Sequence, residues 1–291
     1  MARGLRSHRK NLVALIEKHK QDTFMTFPYF SIFSSHVITT LIEEGIYVIT
    51  TFEESKNKPH ITYRSFVQKN LVDGFIVMGM EEDDKRLKFL LDNNESFVTV
   101  GRNSLQDSYT WVDCDNVRGG YLAGKHLIDI GCRRVLLLNG FKRSVDSISR
   151  YDGFKMAFLE NNLPFDESLV VYGDYTGLVI EHPNTNFAGY DSLKEILRKK
   201  KIDGVFATSD VSAIGCLKLL KFLKMDIPVV GFDDVPLARI FEPQLTTIRQ
   251  PIKKIAESVA KKMIAQIKGE GMTSEMFSVE LIERESTLKF K

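Results

Sequence analysis

The chain has 291 residues, of which 43% are hydrophobic and 27% charged, so it can bury a substantial core, normally divided between two domains. Its 40 basic and 38 acidic residues leave a net charge of only +2, which argues against a polyanion-binding protein that acts through bulk charge. Residues 1–20 hold six Lys or Arg and one acid. This local excess predicts a short basic arm of the kind that contacts nucleic acid.

Neither a membrane span nor an export signal is indicated. No run of about 18 apolar residues occurs, and the chain begins with basic rather than apolar residues. The three cysteines Cys114, Cys132 and Cys216 are odd in number and never spaced as C-x-x-C, which excludes a disulfide framework and a Cys-rich zinc site. These observations predict a soluble protein of the reducing cytoplasm.

Short apolar runs alternate along the chain with stretches of helical periodicity. Successive apolar residues are typical of strands covered on both faces, and most gaps between the runs leave room for a helix. This alternation predicts an α/β fold with doubly wound parallel sheets, and eight or more strands favour two smaller sheets over one. The predicted strands lie at 12–16, 47–52, 75–78, 97–100, 135–138, 169–172, 205–208 and 228–232.

Local signals also predict where some helices begin and end. After Pro251, apolar residues recur every three or four positions with lysines on the opposite face, and Gly269 supplies a stop. The acidic run 81–84 predicts a helix start and the basic run 198–201 a helix end, because these charges suit the helix dipole. The segment 174–189 lacks clean periodicity and is predicted to be a long loop.

One segment of the chain matches part of a catalytic motif. Gly119, Gly124 and Lys125 fit the G-x-x-x-x-G-K spacing of a phosphate loop, but His126 stands where a hydroxyl should hold magnesium. The surrounding sequence favours a helix, so a nucleotide-using enzyme is only an alternative. The six histidines show no metal-ligand spacing, and neither G-x-S-x-G nor G-x-G-x-x-G occurs. We therefore predict a non-enzymatic protein with no metal or cofactor.

Polar residues follow several predicted strands, at the end where open α/β sheets bind ligands. Arg102 follows one strand, Ser209 and Asp210 follow another, and Asp233 follows a third. Arg150, near the start of a predicted helix, offers a rigid fork of donors. Asp233 offers acceptors, and the combination holds vicinal hydroxyls or the edge of a heterocycle. Asp210 also fits a cap for the helix that follows it.

Three motifs, GFDD (231–234), LTTIRQP (245–251) and ERES (283–286), together resemble the ligand-binding core of the LacI/GalR family of bacterial transcriptional regulators. The similarity is collinear over essentially the whole chain. It also includes the segments 112–140, 150–154 and 206–215.

The resemblance implies a cytoplasmic homodimer with two Rossmann-like, periplasmic-binding-protein-like subdomains joined by three crossovers. Matched to this sequence, one subdomain spans 11–113 plus 251–278 and the other 114–250 plus 279–291. Residues 1–10 resemble the remnant of the family's hinge helix. The helix-turn-helix through which relatives bind operator DNA is absent from this chain.

In the family the effector lies in a cleft between the subdomains, and matching positions imply its contacts here. Arg150 grips polar groups of the effector, Asp233 accepts from hydroxyls or a base, and Ser209 and Asp210 lie beside it. Aromatic side chains against a polar rim suit a sugar. The other implied effector-binding residues are Tyr175, Arg102, Phe27, Tyr29, Ser31 and Ile252, and the implied DNA-contacting hinge residues are Arg3, Leu5 and Arg6.

The predicted function is therefore an effector-sensing core that binds a small sugar or sugar phosphate and couples that binding to DNA binding. A purine or nucleoside effector is an alternative within the class, and a stand-alone solute-binding protein is an alternative outside it. Phe27 and Tyr29 also fit subdomain core instead of the ligand wall.

Overall fold

The computed structural model describes residues 9–17, 28–53, 61–173, 178–179, 186–271 and 273–290. It divides into two compact units. The first comprises Phe30–Asp113 and Lys253–Met276 with the described residues before position 18. The second comprises Cys114–Ile252 and the described residues from Phe277 onward, and Pro28 and Tyr29 group with it.

The described elements alternate between strands and helices for most of the chain. In chain order they are β1 (Leu12–Glu17), α1 (Pro28–Glu43), β2 (Tyr47–Phe52), α2 (Ile61–Gln68), β3 (Gly74–Val77), α3 (Lys85–Asp92), β4 (Phe97–Val100), β5 (Thr110–Cys114), α4 (Asn116–Asp129), β6 (Val135–Asn139), α5 (Val145–Glu160), β7 (Val170–Tyr172), β8 (Leu178–Val179), β9 (Asn186–Phe187), α6 (Tyr190–Lys199), β10 (Gly204–Ala207), α7 (Asp210–Leu223), β11 (Val229–Asp233), α8 (Leu237–Ile240), β12 (Thr246–Arg249), α9 (Ile252–Lys268), β13 (Glu275–Phe277), β14 (Glu280–Ile282) and α10 (Glu285–Leu288).

Two six-stranded sheets carry the architecture, in the orders β13-β5-β4-β3-β1-β2 and β14-β12-β11-β10-β6-β7. Val13 of β1 lies between Val48 and Gly74 in parallel register, while β14 is antiparallel to β12. In both sheets the first strand of the unit, β1 or β6, has its second and third strands on opposite sides. Each sheet therefore has a switch point, where doubly wound folds bind ligands. The predicted α/β class with two parallel-dominated sheets is confirmed.

The second sheet is buried on both faces, as its continuous apolar strands require. Leu136 and Leu138 of β6 pack in one cluster with Leu217 of α7. Leu137, between them, points to the opposite face and packs in a second cluster with Phe154 of α5. Because successive side chains of a strand alternate, β6 serves two cores at once. Each fully buried side chain of this size contributes about 2 kcal/mol of hydrophobic stabilisation.

Helices α4 and α5 cross at very short range through two glycines. A methyl group on Gly153 would lie 1.8 Å from the carbonyl oxygen of Val117. A methyl group on Gly120 would lie 2.0 Å from the carbonyl oxygen of Arg150. Both distances are below any real contact, so only glycine permits this crossing. The crossing fixes the helix that carries Arg150.

Most predicted helix boundaries are confirmed. The helix after Pro251 is α9, and the basic run 198–201 coincides with the end of α6. Asp84 of the acidic run is the N-cap of α3. The segment 174–189 is not a plain loop, because it contains the antiparallel strands β8 and β9. In the described part of the chain, no helix is long and apolar enough to cross a membrane.

Candidate functional site

Arg150 lies at the centre of a polar cluster at the strand ends of the second unit. Its guanidinium carbon sits 3.8 Å from the ring centroid of Phe232, its Nε donates to Asn116 Oδ1 at 2.8 Å, and its NH1 donates to the carbonyl of Thr208 at 2.7 Å. Two of the five guanidinium N–H groups are thus bound by described residues. Arg150 is held firmly, and donors remain for a ligand.

Asp233 ends β11 next to this guanidinium and is 5% exposed. Its φ of 121° lies in a region that favours glycine, and such strain is concentrated at functional sites. Gln250 Nε2 donates to its Oδ1 at 2.6 Å, and Cys114 Sγ donates to Gln250 Oε1 at 3.1 Å. Burial raises the pKa of the Asp233 carboxyl to about 7, against the opposing effects of Arg150 and of the Gln250 hydrogen bond.

Two further residues belong to the same cluster. Asp146 is half-buried on α5, four residues before Arg150 and so on the same helix face. Burial raises the pKa of its carboxyl, and Arg150 opposes that rise. Tyr29 is buried, and burial together with the charges of Cys114 and Asp233 raises the pKa of its phenol. The cluster therefore combines two carboxyls, one guanidinium and one phenol.

Ser209 and Asp210, which are expected at the effector, make hydrogen bonds inside the second unit, and their contact with an effector stays a prediction. Ser209, and not Asp210, is the N-cap of α7, and its Oγ accepts the backbone N–H of Ser212. Asp210 is fully buried. Its Oδ2 accepts from the Val235 backbone at 2.8 Å and its Oδ1 from the Thr247 hydroxyl at 2.5 Å. With both oxygens occupied, Asp210 joins α7 to β12 and holds the loop after β11.

The remaining expected effector residues are spread over the chain. In the first unit, the Arg102 guanidinium lies 4.9 Å from the Trp111 ring and its Nε is 3.8 Å from Asp113 Oδ2, while Ser31 is exposed on α1. In the second unit, Ile252 is buried at the start of α9. The predicted residues Phe27, Tyr175, Arg3, Leu5 and Arg6 lie outside the described residues.

Asp234, the neighbour of Asp233, forms a separate ionic cluster inside the second unit. Its carboxylate accepts from Arg239 at 2.9 Å, Arg249 at 2.7 Å and Arg284 at 2.6 Å, and its side chain is 1% exposed. Burial alone would raise the pKa of this carboxyl, but the three arginines hold it below its usual value. The cluster fastens α8, β12 and the segment before α10 together.

The phosphate-loop spacing does not form a phosphate site. Gly119, Gly124 and Lys125 all lie within α4, and a methyl group on Gly119 would approach the Phe232 ring at 2.6 Å. Lys125 pairs with Asp129 one turn later. The described residues also contain no group of three potential metal ligands. The nucleotide-using enzyme therefore has no support from this segment.

Sequence reasoning missed three members of the Arg150 cluster: Asp146, Asn116 and Gln250. The spacing of Asp146 to Arg150, i and i+4 on one helix, was a usable signal. Asn116 and Gln250 meet the cluster only because α4 crosses α5 and β12 ends beside β11. No local sequence pattern encodes those contacts.

Comparison with known proteins gives a consistent family. The model of a periplasmic binding protein-like domain matches residues 125–287. The transcriptional regulator CelR of Thermobifida fusca is 28% identical over 276 residues, which cover 92% of this chain and 78% of the relative. The transcriptional repressor PurR of Yersinia pestis is 28% identical over 295 residues, which cover 98% of this chain and 82% of the relative. A solved CelR–cellobiose complex superposes with a TM-score of 0.84 at 26% identity, covering 96% of this chain and 85% of that one.

Proposed function

The chain belongs to the family of periplasmic binding protein-like domains and corresponds to the effector-binding core of LacI-type transcriptional regulators, and on this premise we propose that it senses a small sugar or sugar phosphate. The observation that carries the proposal is the Arg150 guanidinium, fixed on the Phe232 ring beside the Asp233 carboxyl. A fork of donors next to an acceptor matches a pair of neighbouring hydroxyls, one as acceptor and one as donor.

A saccharide suits this site better than a purine. A flat heterocycle binds best between aromatic faces, and the face of Phe232 nearest the cluster is covered by Arg150. The aromatic expected to stack on the ligand, Tyr175, lies outside the described residues. The solved complex of the relative CelR contains cellobiose, which supports a saccharide here as well.

The proposed output is regulation of DNA binding by a cytoplasmic homodimer. The named relatives are helix-turn-helix-type transcriptional regulators, which supports this proposal. An effector can shift a conformational equilibrium only if it binds the two states with different affinity. We propose that the Arg150 cluster supplies that difference.

A thermal-shift screen of sugars, sugar phosphates and nucleobases tests the proposal. A ligand present at 100 times its dissociation constant stabilises the folded protein by about 2.7 kcal/mol, which raises the melting temperature by several degrees. We expect saccharides to stabilise the chain. Stabilisation by nucleobases alone would establish the purine alternative, and no stabilisation by any class would overturn the proposal.

A further inference from the structure

The charge around Arg150 restricts which saccharide the site accepts. The groups of the cluster that can carry charge near neutral pH are the Arg150 guanidinium and the carboxyls of Asp146 and Asp233, because the pKa of the Tyr29 phenol is raised and the phenol is neutral there. Arg150 is the only cation among them. When both carboxyls are ionised, the cluster carries one positive and two negative charges.

Arg150, the cation of the cluster, already donates hydrogen bonds to other residues of the protein. Arg150 donates through Nε to the Asn116 side chain and through NH1 to the Thr208 carbonyl, and Phe232 covers one of its faces. Three arginines of the neighbouring ionic cluster, Arg239, Arg249 and Arg284, are bound to Asp234. They are therefore engaged in the neighbouring ionic cluster and not directed to a ligand.

The carboxylate of Asp146 makes the net charge of the cluster negative. It lies one helical turn before Arg150 on α5, and it raises the proton affinity of Asp233 while Arg150 lowers it. A carboxylate accepts hydrogen bonds from hydroxyl groups but repels a phosphate dianion. In a partly buried site that repulsion is screened less than at the surface.

We infer that Asp146 is a specificity-determining residue which, together with Asp233, makes the site accept uncharged saccharides and reject their phosphate esters. The inference rests on the proposed sugar-sensing function and narrows it. Asp146 and Asp233 bind hydroxyl protons, and Arg150 binds a hydroxyl or ring oxygen. Among the described residues of the cluster, Arg150 is the one cation, and its single positive charge faces the two negative charges of Asp146 and Asp233 before any phosphate is added.

The test compares matched pairs of ligands: glucose, fructose and cellobiose, each against its own 6-phosphate. Isothermal titration calorimetry at pH 8 measures dissociation constants for the wild type, Asp146→Asn and the control Asp152→Asn. Asp152 is an exposed carboxylate on the same helix but on a different face from Arg150. The amide of Asp146→Asn keeps an acceptor for hydroxyls and removes the negative charge.

We expect the wild type and Asp152→Asn to bind the uncharged member of a pair at least about tenfold more tightly than its phosphate. In Asp146→Asn that ratio should fall at least about threefold, mainly through tighter binding of the phosphate. A phosphate bound as tightly as its parent sugar by the wild type would overturn this inference and leave the proposed function intact. If the ratio of the two affinities is unchanged in Asp146→Asn, Asp146 does not determine the specificity of the site. If no saccharide of either kind binds, the proposed function and this inference both fail.

Discussion

Asp233 and Asp234 are consecutive in the chain but lie in regions with opposite electrostatics. The carboxyls of Asp233 and Asp146 both interact with Arg150, and burial raises the pKa of Asp233 to about 7. Asp234 is surrounded by three arginines, and its pKa lies below the usual value. Both have positive φ, 121° and 58°, so the chain turns sharply between them. The contrast shows how one turn can place a ligand-binding carboxyl beside a structural one.

Of the substitutions that distinguish Asp233 from Asp234, Asp234→Ala should have the largest effect on stability. Asp234→Ala removes the common partner of three arginines, of which Arg284 is largely buried. Removing one member of a buried ion pair leaves the other charge uncompensated, so we expect a loss of about 3 kcal/mol in the free energy of unfolding. Urea denaturation measures it. Asp226→Ala, which breaks the exposed pair with Lys289, is the matched control and should cost less than about 1 kcal/mol. Equal losses in the two variants would contradict the account.

A smaller effect is expected where packing positions the site. Gly153→Ala forces a methyl group against the Val117 carbonyl at the crossing of α4 and α5, so we expect a loss of about 2 kcal/mol, typical of overpacking. Ligand affinity should fall too, because α5 carries Arg150 and Asp146. The control is Gly271→Ala, where an added methyl group meets no atom within 4 Å. A Gly153→Ala protein with unchanged stability and affinity would show that the crossing is not as tight as described.

A further expected effect is the pH dependence of stability. Because the folded-state pKa of Asp233 is about 7 and the unfolded value is about 3.9, the folded protein binds more protons in that window. Its free energy of unfolding therefore falls as pH rises from about 4 to 7. Arg150, Asp146 and the Gln250 amide act on the pKa of Asp233. Burial, together with Asp233, in turn raises the pKa of the Asp210 carboxyl, and the pKa of Asp146 is also raised.

Asp233→Asn should accordingly lose less stability between pH 5 and pH 8 than the wild type does, as measured by urea unfolding at both values. Asp234 behaves oppositely: its depressed pKa stabilises the fold above about pH 4, and this contribution is lost on further acidification. Identical pH profiles for Asp233→Asn and the wild type would contradict the assignment of a raised pKa to this carboxyl.

The sequence predicted strands that are mainly apolar and missed β12, half of which is buried threonine. β12 reads Thr246-Thr247-Ile248-Arg249, and both threonines are fully buried. Thr246 Oγ1 donates to the Arg284 carbonyl and Thr247 Oγ1 to Asp210. Such hydroxyls satisfy their hydrogen bonds inside the core, but only through residues distant in the chain. β5, β13 and β14 were missed as well, and β13 and β14 have only three residues each.

The residues of the candidate site were also predicted only in part. In the sequence, Asp233 was selected because it follows a predicted strand, and Arg150 was selected because its guanidinium offers several hydrogen-bond donors. In the structure the two side chains act on each other. The same strand-end reasoning also selected Asp210, whose two oxygens are bound within the fold. Position at a strand end therefore indicates the edge at which a ligand binds. Whether a given side chain faces the ligand or the core depends on contacts that chain order does not reveal.

If the Arg150 cluster is the effector site, Arg150→Ala should bind a saccharide identified in the screen more weakly than the wild type does, as measured by isothermal titration calorimetry. We expect an affinity loss of at least about 2 kcal/mol, roughly thirtyfold, because truncating one partner of a buried charged contact costs this much or more. Arg198→Ala, an exposed arginine at the end of α6, should bind as the wild type does. Wild-type affinity in a folded Arg150→Ala protein would contradict the claim that this cluster is the effector site.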